Sequence, residues 1–255
     1  MVSGSSQILW VSTSTIVALL SLNALIPLNE RVAQSANPAI FSATVVRNKR
    51  MMAGIFILSA ILGLLSAPHT PLSTPVINHY LYQRPILWGH WWENVGNAVF
   101  GAITLIYISQ VILHRTFRHD KLILVTPDIK ERFNIVIYDA TFEVGLELYG
   151  WLSILLWITQ QIYGAPQVFL SLCSVALMSI VFHLWVSASI RRFSWALFWN
   201  TVFTQLILVF IFGLLVVKEG IEAGSMGRAI TVAVFLWPRR LMSQNAARED
   251  TAHGE

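Results

Sequence analysis

The chain has 255 residues, of which 55% are hydrophobic and 12% charged, against about 25% charged in soluble domains. That balance excludes an ordinary soluble enzyme and predicts an all-α, polytopic bundle of transmembrane helices. Although 17 Lys and Arg stand against 13 Asp and Glu, the excess is read through membrane topology, and nucleic acid is not an expected partner.

In chain order, apolar runs of spanning or near-spanning length occur at about 8–26, 51–67, 94–113, 138–157, 167–190 and 195–217, with a shorter one at 226–237. These predict about seven helices. The first run has no base before it and no A-x-A site, and is read as a retained span rather than a signal peptide. The connections 27–50, 115–132 and 191–192 and the tail after 238 hold 14 of the 17 Lys and Arg, and the other set, 68–92, 158–166 and 218–228, holds Arg84, Lys218 and Arg228. By the positive-inside rule this puts the N-terminus outside and the C-terminus in the cytoplasm of a cell membrane, in a multi-pass arrangement. Residues 1–243 form a single transmembrane domain on this reading, and the polar tail 244–255 is expected to be disordered.

The outer connection 68–92 holds four prolines, three histidines and three tryptophans. Trp88, Trp91 and Trp92 read as an aromatic belt at headgroup depth. His69, His79, His90 and Glu93 carry ligand atoms for zinc or iron, but only His90 and Glu93 have local ligand spacing, so no metal site is assigned. The inner loop mixes Arg115, Arg118, Lys121, Lys130 and Arg132 with acids, a pattern explained by anionic lipid headgroups. Cys173, the one cysteine, lies in an apolar run, so neither an intramolecular disulfide nor a cysteine metal cluster is expected.

The run 138–157 carries Asp139, Glu143 and Glu147 at four-residue spacing. On a helix each step of four turns by only about 40°, so the three carboxyls share one stripe. Carboxylates inside a bilayer face a bundle interior or a wet cavity and find partners there. Counting about 1.5 Å per residue from the cytoplasmic edge puts Glu143 about 7 Å, Glu147 about 13 Å, His183 about 9 Å and Asn200 about 10 Å deep. A layer of Glu143, Glu147, His183 and Asn200 follows as the candidate site. Three readings fit it: a structural hydrogen-bond network between helices, a hydrolytic site in which a glutamate is the base and His183 and Asn200 orient a water, and a ligand set for a metal or pigment.

From residue 140 onward the chain resembles the CPBP family (CAAX proteases and bacteriocin-processing enzymes), intramembrane glutamic proteases marked by EExxxR, FxxxH and a late HxxxN after a TGS-like turn. Gly150-Trp151-Leu152, the SIVFH segment ending at His183, and EAGSMGRAITVAVFLW from Glu222 to Trp237 carry the resemblance. It implies a CPBP-like core over about 138–238. The catalytic residues depart from the pattern: Val144 and Gly145 stand at the glutamate pair, Tyr149 at the arginine, Ser179 at the phenylalanine, and Ala233 and Trp237 at the final His and Asn, while His183 is kept. Alanine and tryptophan cannot orient a water as His and Asn do. The expectation is therefore a pseudo-protease that acts as scaffold or accessory subunit among membrane lipids and other membrane proteins, binding a partner helix, a lipid or an isoprenoid-like chain in the old substrate cavity. An active CAAX-type endopeptidase using Glu143, Glu147 and His183, and a haem- or pigment-binding subunit of a membrane complex, are the alternatives. The cofactor is left unassigned.

Overall fold

The structure is a computed structural model that describes residues 5–21, 54, 57–66, 68–70, 72–116, 129–190 and 195–236. The basic loop 27–50, residues 117–128 of the inner loop and the tail expected to be disordered lie outside the described residues. Among the described residues there is no strand. The helices are α1 (Ser5–Ser21), α2 (Ile57–Ser66), α3 (Pro75–Tyr82), α4 (Trp88–Thr116), α5 (Ile129–Tyr138), a π-helical segment (Asp139–Leu148), α6 (Tyr149–Tyr163), α7 (Val168–Ile190), α8 (Trp195–Glu219) and α9 (Ile221–Leu236). The fifth helix, the π segment and α6 run on as one long rod.

Among the described residues, four stretches are long and apolar enough to cross a membrane: Trp88–Leu113, Arg132–Tyr163, Val168–Trp185 and Phe198–Glu219. The described parts of the first two predicted spans are shorter, 17 residues in α1 and 10 in α2, and α9 has 16. An apolar surface is presented by α4 and α7, through Phe100, Tyr107, Phe169 and Leu177 among others. In water such a surface would aggregate; in a hydrocarbon solvent it is the expected exterior. The most apolar part of Arg132–Tyr163 is instead 61% buried, against 17% for that of α4, so the rod that carries the carboxyls is the centre of the bundle.

Around that rod, α9 packs on the π segment, α5, α4 and α8, while α7 packs on α6 and α8. On another side of the rod, α1 and α2 approach closely because the rod offers glycines. A side chain at Gly150 would run into the carbonyl of Ser59, and one at Gly145 would meet Ser14 and Trp10. Buried hydroxyls line this contact, with Ser66 bonded to Ser153 and Tyr149 donating to Gln7 at 3.2 Å.

Connections differ from the sequence expectation in two places. Residues 68–92 do not form one long loop, since they fold into α3 and the first turns of α4. Trp91 is not at the lipid interface: it is 4% exposed and its Nε1–H donates to the Glu219 carbonyl at 3.3 Å. Trp92 is exposed, as a belt residue would be. At the other place, α8 and α9 are joined by Gly220 alone, in the left-handed region at φ 92°, where glycine pays no steric penalty. The last helix thus starts five residues before its apolar run, and Arg228, assigned by the sequence to an outer connection, lies within α9.

Candidate functional site

The layer is built from the π segment outward. Its hydrogen bonds reach five residues back rather than four, a geometry that is rare and recurs at functional sites. At its start the Thr141 hydroxyl donates to the Ile137 carbonyl at 2.7 Å, a local side-chain bond that competes with the α-helical ladder. The rod still projects Asp139, Glu143 and Glu147 to one side.

Arg228 meets them from α9. Its guanidinium donates to Asp139 Oδ2 at 3.0 Å and also to Glu143 Oε2. The approach depends on small residues in α9: a side chain at Gly224 would collide with Val216 and come within 3.2 Å of Val144. Arg228 is 6% exposed. A guanidinium presents a planar fork of donors, which suits it to hold two carboxylates at once.

His183 comes from α7. Its Nδ1 lies 2.9 Å from the Ser179 carbonyl, and its Nε2 lies 3.3 Å from Glu143 Oε1. A carbonyl oxygen only accepts, so Nδ1–H is the donor there. The other ring nitrogen and the Glu143 carboxyl then face each other with a shared proton between them. Ser179 donates its hydroxyl to Gln205 Oε1 on α8 at 3.1 Å, which ties a third helix into the network.

Glu147 is one turn deeper and 5% exposed. Its Oε2 has no hydrogen-bonding partner among the described residues, and neither has Arg228 Nε. A cavity of about 20 Å³, measured as space open to water centres, lies against Glu143, Glu147, Ser179, Gln205 and Arg228, with Val175, Leu208, Val209 and Phe212 completing its wall.

Three of the four residues that the sequence selects therefore meet, namely Glu143, Glu147 and His183. Asn200 does not join them: its Oδ1 accepts from Gln110 on α4, and Gln205, five residues on, is the α8 residue that reaches the layer. Asp139 was legible as part of the stripe, but Arg228, Ser179 and Gln205 were missed. A lone arginine just inside the GSMGRAITVAVF run was the available signal, since buried carboxylates require a cation or a donor.

As for ligand atoms, no group of three or more His, Cys, Asp or Glu is placed to hold a metal ion among the described residues. His90 Nε2 and Glu219 Oε1 approach to 3.7 Å across α4 and α8, with Asn94 donating to Glu219 at 2.7 Å. Glu93 is not part of that contact. His69 stacks on Trp157 with centroids 5.1 Å apart, and the His79 ring meets Trp88 edge-on. The histidines of residues 68–92 are thus distributed among separate contacts.

Chemically, the layer can hold charge inside an apolar bundle, pass a hydrogen bond between four elements, and keep a small polar guest beside Glu147. No protein-family model, curated protein or solved structure matches the chain.

Proposed function

We propose that the protein is a multi-pass protein of the cell membrane, with about seven membrane helices, the N-terminus outside and the C-terminus cytoplasmic. On this reading it has a CPBP-like core and acts without catalysis, as a scaffold or accessory subunit that binds lipid or the helix of another membrane protein. One observation carries the proposal: Arg228 engages both Asp139 and Glu143, while His183 engages the other oxygen of Glu143. A general base needs a lone pair aimed at a water and a substrate carbonyl within reach. Here Glu143 gives its oxygens to a cation and an imidazole, and the cavity beside Glu147, whose Oε2 has no partner among the described residues, has room for a water but not for a substrate carbonyl as well.

The cavity argues the same way. At about 20 Å³ it takes a water, and an extended peptide or isoprenoid chain needs far more room. A partner is accordingly assigned to the apolar exterior of the bundle rather than to its interior. Moving Arg228 from an outer connection into α9 leaves Arg84 and Lys218 as the bases outside the three connections and the tail that the sequence assigns to the cytoplasm, which strengthens the charge asymmetry behind the orientation.

Purification from the native membrane in a mild detergent, with mass spectrometry of every co-purifying protein and lipid, tests the proposal. A stoichiometric companion is the expected result. A chain that emerges alone, and that cleaves membrane-embedded peptides in a manner abolished by Glu147→Gln, would overturn it.

A further inference from the structure

Two of the residues that line the cavity, Glu147 and Arg228, each carry a buried polar atom without a partner among the described residues. Glu147 Oε2 can only accept a hydrogen bond when ionised, Arg228 Nε can only donate one, and both lack a partner among the described residues. Each belongs to a side chain at least nine-tenths buried, at 5% and 6% exposure, and both residues line the cavity. Left dry, each atom would bear the full desolvation penalty of an unmade hydrogen bond to a charged group.

Size and charge narrow the occupant. A cavity accepts a water when about 10–15 Å³ is open to water centres and two to four polar partners face it; this one offers about 20 Å³. The guanidinium disfavours a cation there and the carboxyl disfavours an anion. A neutral guest that accepts on one side and donates on the other meets both demands. We infer that this cavity is a built site for one water molecule, which accepts from Arg228 Nε–H and donates to Glu147 Oε2.

Ser179 and Gln205, bonded to each other, also line the cavity and give the water further polar neighbours. The site has a consequence for the layer. Glu147 is the stripe carboxyl with no ion pair among the described residues, and the water joins it to Arg228, which already holds Asp139 and Glu143. A hydrogen-bonded path then runs from Glu147 through Arg228 and Glu143 to His183 and Ser179. The inference stands whether or not the non-catalytic reading is correct, because it concerns what the cavity holds rather than what the chain acts on.

Hydroxyl-radical footprinting of the full chain in lipid nanodiscs tests it, since radiolysis of a bound water oxidises the side chains touching it. Phe212 is fully buried and forms part of the cavity wall; Phe142 is buried at 1% exposure and lies off it. The expected result is several-fold more oxidation at Phe212 than at Phe142. That excess should vanish in Glu147→Leu and persist in Glu147→Gln, whose amide still offers an acceptor. Equal oxidation of the two rings in the unmodified protein, or an undiminished excess in Glu147→Leu, would overturn the inference. Should Glu147→Leu not fold, Val209→Leu narrows the cavity from an apolar lining residue and leaves the polar side chains unaltered. Loss of the excess at Phe212 with the melting temperature retained would then support the water site, and an unchanged excess would overturn it.

Discussion

Glu222 and Glu143 both sit inside the protein, and they are compensated by different means. Glu222, at the start of α9, accepts the backbone N–H of Ile77 at 3.1 Å. It serves as the missing cap of α3, whose own Thr74 makes no capping bond and donates to Ser6 instead. Beside it the Ile221 N–H bonds the Ser73 carbonyl at 3.0 Å, so the clamp is made largely of backbone. Glu143 instead depends on two side chains, Arg228 and His183. Backbone donors are present whatever the residue type, whereas a guanidinium is lost by a single substitution. The layer is therefore the part of the interior where one change has the greatest effect.

Breaking that contrast starts with Arg228→Leu. It leaves Asp139 and Glu143, 15% and 17% exposed, without their cation, and a loss approaching the about 3–5 kcal/mol of a buried pair deprived of one partner is expected, read as a large drop in the melting temperature in detergent. Replacing Arg228, Asp139 and Glu143 together by Met, Leu and Gln should recover most of that loss, because a whole buried ion cluster can be exchanged for apolar packing at little cost. Gly150→Ala comes next, at about 1–3 kcal/mol, the range for overpacking a tight contact; its added methyl pushes the Ser59 backbone and should also expose α2 to limited proteolysis.

At the clamp, Glu222→Ala should cost about 1 kcal/mol, as for loss of an N-cap, and Glu222→Gln less, since its amide oxygen still accepts the Ile77 N–H. A Glu222→Ala variant as damaging as Arg228→Leu would erase the distinction between the two regions. The smallest effect belongs to Asn200→Leu, which removes the bond to Gln110 outside the layer. About 0.6 kcal/mol is typical for such interhelical contacts, and the footprint at Phe212 should be unchanged.

Much of this was legible before the fold was known. Four-residue spacing put Asp139, Glu143 and Glu147 on one stripe, and equal depth brought His183 to them. What failed depends on rotation and on backbone bonding. The eighth helix is apolar around most of its circumference, so nothing in its pattern says that Gln205 rather than Asn200 turns inward. A π segment leaves the residue composition unchanged, and hydrophobic periodicity does not report which carbonyl each N–H has chosen. Arg228 was misplaced because α9 begins with Glu222, Gly224, Ser225 and Gly227, small or polar residues that read as a loop yet are buried in the helix. Trp91 was misplaced because tryptophan composition alone does not separate an interfacial ring from one that donates to a carbonyl inside.

The separation of Arg228 from its carboxylates along the chain also orders events during synthesis. Asp139 emerges from the ribosome 89 residues before Arg228, which at about 5–20 residues per second is a wait of about 4 to 18 s. For that interval the acidic rod has no α9 to neutralise it. When α9 enters, it carries a positive charge for which a receptor already exists, so a later segment locks ones made before it. Chains truncated ahead of Ile221 should accordingly be recognised as unfinished and degraded, and supplying α9 as a separate polypeptide should restore their lifetime.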